Sequence, residues 1–161
     1  MFGKSIFFFY KALLFGIAAY AIIPRPEFKK YLIYGFIFGA IGDIIVLLIT
    51  GPVLNLYKYF HLGPFGIWGI FTFWTPISWM FAFMLFFYFL PVRIPFLLPY
   101  VAGFSMFGYM VGLVLQGLGM YEYIGNYIYF APVTFLIWFS IAAFSYIRIG
   151  NIRLNSHLNG E

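Results

Sequence analysis

Two ionisable side chains of opposite charge stand inside long apolar runs: Lys11 and Asp43. A charge at the centre of a helix in hydrocarbon costs about 2.5–3.5 kcal/mol on insertion scales unless a partner compensates it. Each residue stands 16 positions from Glu27. If the flanking runs form an antiparallel hairpin turning about Glu27, the two side chains share one depth, roughly 10 Å below the outer surface at ~1.5 Å per residue. They are then expected to pair. The same register would set Gly42 beside Ala12 and Gly35 beside Ala19. An intramembrane acid–base pair can relay a proton or cation, or anchor a polar headgroup. It can also be a purely structural ion pair, or Lys11 can reach the interface along its aliphatic stem.

Other polar candidates are sparse. His61 and Glu122 fall in two connections that face the same side and could meet there, as a general acid–base pair or as solvated interfacial residues. Thr72, Thr75 and Ser78 surround Pro76, where a mid-span kink would free a backbone carbonyl for their hydroxyls, or where they would line a polar cavity. Gly35 and Gly39 precede Asp43 at successive intervals of four, so two notches and the carboxylate share one helical face. Ser105, Gly108, Gly112 and Gln116 form a second small or polar face, suited to packing within the chain or against a second copy. His157 lies in the polar tail.

Much chemistry is excluded by what is missing. The chain has no cysteine, so disulfides and thiolate chemistry are absent. No His/Glu ligand spacing, phosphate-cradling glycine loop, nucleophile elbow or dinucleotide fingerprint occurs, so no metal and no cofactor is expected. The formal net charge of +5 is scattered rather than clustered, which argues against nucleic-acid binding.

The elements that must position these groups follow from composition. The chain is 65% hydrophobic and 8% charged, with mean hydropathy +0.99; soluble domains carry about 25% charged residues. Apolar runs of helix-spanning length predict an all-α, polytopic membrane bundle, one domain over 1–161. Its five transmembrane helices fall at about 5–23, 31–50, 65–90, 96–118 and 127–147, followed by a polar tail, 148–161. Lys4 ahead of the first run and Ala19-Tyr20-Ala21 near its end have the outline of a secretory signal, but Lys11 interrupts the apolar region, so the run reads as a retained span. Residues 24–30 read as a proline-stopped loop and 51–64 as a segment lying in the interface. Arg25, Lys29, Lys30, Arg93, Arg148 and Arg153 fall on one side, Lys4 and Lys58 on the other. The positive-inside rule then predicts a cell-membrane protein with its amino end outside and its tail in the cytoplasm.

Three functional classes fit. The first is a non-enzymatic accessory or assembly subunit acting through helix packing, with a membrane-protein partner or a second copy. The second is a small oligomeric transporter or channel using Asp43 and Lys11. The third is a membrane-embedded enzyme on lipid or isoprenoid substrates.

Overall fold

The computed structural model describes residues 3–150. Arg153, His157 and the rest of the tail lie outside the described residues. The described chain is mainly helical. After a 3-10 turn at Gly3–Ser5 come α1 (Ile6–Ile22) and α2 (Arg25–Val53), then the short strands β1 (Tyr57–Tyr59), β2 (Gly66–Ile67) and β3 (Phe71–Thr72). Helices α3 (Trp74–Tyr88) and α4 (Ile94–Gly117), strand β4 (Tyr121–Tyr123) and helix α5 (Tyr127–Ile149) complete it. Four helices, α1 with its leading turn, α2, α4 and α5, are long and apolar enough to cross a membrane.

The structure corrects several expected boundaries. The loop at 24–30 is not a loop: Pro24 caps α2, which starts at Arg25 with Pro26 in its first turn, where a missing N–H goes unmissed. The turn is thus Ile23–Pro24, and Glu27 is its helical successor rather than its centre. Residues 65–73 are not helical. Gly66–Ile67 and Phe71–Thr72 form a small antiparallel hairpin, with Trp68 and Gly69 at its tip in left-handed backbone. Helix α3 therefore has only 15 residues. Pro76 falls in its first turn, so the expected mid-span kink does not arise.

α2 is not uniformly α-helical. It widens to π geometry over Gly35–Ile41 and again over Ile49–Val53. Helix α3 packs along the first of these stretches and also along α1. A Cβ on Gly35 would stand 2.5 Å from the Met80 carbonyl oxygen, and one on Gly39 would collide with that of Trp79. Gly42 faces the Trp138 indole. The glycines of α2 thus close on α3 and α5, not on Ala12 and Ala19 of α1, which overturns the hairpin register. The physical reason is that α3 packs along both α1 and α2 and so takes the face of each that a two-helix hairpin would have used.

α3 is the buried axis. Phe83, Met84 and Phe86 are wholly enclosed. The Phe83 ring stacks on Phe139 at 4.6 Å, Phe86 on Tyr100 at 5.5 Å, and Phe87 on Tyr146 at 4.8 Å. This aromatic column ties α3 to α4 and α5, which pack on each other. For helices of this apolar character the stabilising term is close packing of the rings rather than their transfer from water, with offset ring geometry adding to it.

The two ends of the bundle differ. At one end β1 pairs antiparallel with β4. There the Lys4 ammonium donates to the Leu118 carbonyl at 2.8 Å, and Gly63 abuts Ser5. At the other end the Tyr31 and Tyr88 rings meet at 5.6 Å, and the Lys30 ammonium sits 5.1 Å and 5.8 Å from the rings of Tyr31 and Tyr146.

Candidate functional site: a polar pocket under a tyrosine ribbon

Between the paired strands and the aromatic column lies a pocket of about 50 Å³, bordered by both Lys11 and Asp43. Asp43 reaches it because Gly35, Gly39, Asp43 and Leu47 recur at intervals of four on the buried face of α2. Asp43 is 2% exposed, and its Oδ2 has no hydrogen-bond partner. Lys11 arrives from α1, its ammonium 6.0 Å from the Trp79 ring centroid. The two candidate charges do converge on one pocket. They do so across α3 and beside Trp79 and Trp138, and not through a two-helix hairpin.

The roof is the β1–β4 ribbon. Its register sets Tyr57 opposite Tyr123, Lys58 opposite Glu122 and Tyr59 opposite Tyr121. Side chains alternate across a strand, so the four tyrosines turn toward the pocket while Lys58 and Glu122 stay exposed. The Tyr57 hydroxyl donates to the Leu47 carbonyl at 2.6 Å, and that of Tyr127 donates to Thr134 Oγ1 at 3.0 Å. Glycines make room for two of the phenols: Tyr57 lodges over Gly51 and Tyr123 over Gly112. Burial raises the pKa of all four ribbon tyrosines above the ordinary phenol value. For Tyr57 and Tyr59 the Asp43 carboxylate adds to that effect. These hydroxyls therefore remain protonated donors at neutral pH.

The other candidates are dispersed. Glu122 faces Lys58 across the ribbon rather than His61. His61 is exposed, in left-handed backbone with φ 54°. Ser78 and Ser105 donate to carbonyls four residues back in their own helices, at 2.6 and 2.7 Å, and the Thr72 hydroxyl accepts from the Trp74 amide at 3.4 Å. Thr75 Oγ1 and Gln116 Oε1 are buried without partners. Gly108 and Gly112 both line the pocket, Gly108 against the Phe135 ring and Gly112 under Tyr123. Among the described residues no three of His, Asp and Glu converge.

The expected site lacked its tyrosines. A signal for them was present: Tyr57-Lys58-Tyr59 and Tyr121-Glu122-Tyr123 are matching alternating triplets with opposite central charges, the pattern of a cross-strand pair.

The pocket of about 50 Å³ has room for water, since one molecule needs roughly 10–15 Å³ and at least two polar partners. Beneath it Trp79 and Trp138 meet at 5.3 Å, and the enclosed Phe83, Phe86 and Phe139 follow. The fold and the site together define a helical bundle with membrane-type helices around a small buried acid–base pocket. No family model, no curated protein and no solved structure matches the chain.

Proposed function

We propose that the chain is an integral protein of the cell membrane that crosses it five times, amino end outside, and acts without catalysis by packing its helices against a membrane-protein partner. The short helix α3 counts as the third crossing. The chain leaves the ribbon end through α1, returns through α2, and passes back through α3, so that the loops after α2 and α4 meet in one ribbon. Lys58 and Lys4 lie at the ribbon end, whereas Arg25, Lys29, Lys30, Arg93 and Arg148 gather at the other, which favours that end for the cytoplasm.

The observation that carries the reading is the aromatic column under the pocket. A pocket of about 50 Å³ that ends on Trp79 and Trp138, with wholly enclosed phenylalanines beyond them, offers neither a route for ions nor a chamber for a reacting substrate. In this reading Lys11 and Asp43 compensate one another and fix how α1, α2 and α3 assemble.

Two measurements test it. Proteoliposomes under an imposed potassium diffusion potential are expected to hold an internal pH gradient as long as protein-free vesicles do. A proton leak abolished by Asp43→Asn would overturn the reading in favour of an oligomeric transporter. In cells, photo-crosslinkers replacing Ile137, Ile141 or Phe144 on the exposed face of α5 are expected to give one discrete protein adduct. Lipid adducts alone would remove the partner.

A further inference from the structure

The pocket has a neighbour. On the membrane-facing side, α1 and α4 diverge to leave an apolar groove of about 410 Å³, running past Phe7, Leu14, Phe107 and Leu118. Lys11, Val111 and Leu115 border both spaces, so a wall one side chain thick divides the polar pocket from a groove open to acyl chains. Farther along, the Phe15 and Phe107 rings close to 5.8 Å between the two helices.

We propose that the pocket and this groove form one binding site for a single-chain lipid with an uncharged hydroxyl head, the tail lying in the groove and the head passing between Lys11 and Val111. Three observations select that class. Asp43 Oδ2 is buried and unpartnered, so it calls for a donor. Lys11 offers N–H groups, which call for an acceptor. A hydroxyl supplies both. The two side chains carry opposite formal charges, so an uncharged head leaves the pocket balanced. A carboxylate or phosphate head would face Asp43, and an ammonium head would face Lys11, each adding an unpaired charge in a low-dielectric site. Size agrees: about 50 Å³ admits a terminal –CH₂OH in place of ordered water.

The site reports on itself, because Trp79 and Trp138 both line the pocket. With Trp68 and Trp74 replaced by Phe, the protein in dioleoylphosphatidylcholine nanodiscs is titrated with 1-hexadecanol, and tryptophan emission is followed. A saturable shift is expected. Hexadecane should give none, and palmitate and hexadecyltrimethylammonium should each require at least ten times the concentration. Val111→Phe, which thickens the dividing wall from the groove side, is expected to abolish the shift while leaving the unfolding midpoint within a few degrees. Asp43→Asn should weaken it, and Val111→Phe keeps the test decisive if that variant folds poorly. An equal response to hexadecane would mean that the groove binds tails without reading a head. No saturable response would mean that the pocket holds water alone. Binding undiminished by Val111→Phe would mean that the head does not pass that wall. Each of these overturns the proposal. None of them alters proton flux or protein adducts, so this proposal and the packing function fail separately.

Discussion

At Gly39 the backbone of α2 lies so close to the Trp79 carbonyl that no side chain fits between them. Gly103, by contrast, has open space where a Cβ would stand. Gly39→Leu is therefore expected to destabilise the fold by about 1–3 kcal/mol, the usual range for overpacking, or more because the obstacle is backbone. Gly103→Ala should shift stability by no more than about 1 kcal/mol, the scale of helix propensity. Unfolding midpoints in mixed micelles check both; equal shifts would remove the close-packing argument. This face of α2 was legible in the sequence, because Gly35, Gly39 and Asp43 recur at intervals of four. What presses on it was not legible. Helical spacing says which residues share a face and nothing about which helix covers that face, so α1 was the expected partner where α3 is the real one. Equal depth in an α1–α2 hairpin predicts an ion pair between Lys11 and Asp43; the structure sets both on the border of one pocket, with Asp43 Oδ2 left without a hydrogen-bond partner.

The ribbon makes its prediction at the scale of an element. Its four tyrosines are held protonated by burial, so their folded-state pKa lies above the unfolded value of about 10. Above that pH the unfolded chain releases protons that the folded chain retains. The unfolded state then binds fewer protons, and stability falls with rising pH. The ribbon's contribution should be full below about pH 10 and decline above it. Replacing Tyr59 and Tyr121 with Phe should flatten the decline in a pH series of unfolding midpoints; an unchanged slope would mean that the phenols are not the cause. The long helices were readable here because an apolar run of ~20 residues has few alternatives. The ribbon was missed because three-residue strands fall below the length at which alternation stands out against chance. Helix α3 was overextended because Phe65, Trp68 and Phe73 are as apolar in a hairpin as in a helix, and hydropathy does not distinguish the two.

For the whole molecule the sharpest prediction is its orientation. The chain lacks cysteine, so single substitutions report cleanly. Lys58→Cys on the ribbon is expected to react with a membrane-impermeant maleimide in intact cells, and Lys29→Cys only after permeabilisation. The reverse pattern would invert the topology. The shortness of α3 also decides where it can sit. Its 15 residues extend about 22 Å at ~1.5 Å each, against ~30 Å for a bilayer's hydrocarbon. None of them is exposed, so that deficit is met by protein: the longer α1, α2, α4 and α5 screen it, and in a bilayer they, rather than α3, would set the thickness that lipid has to match.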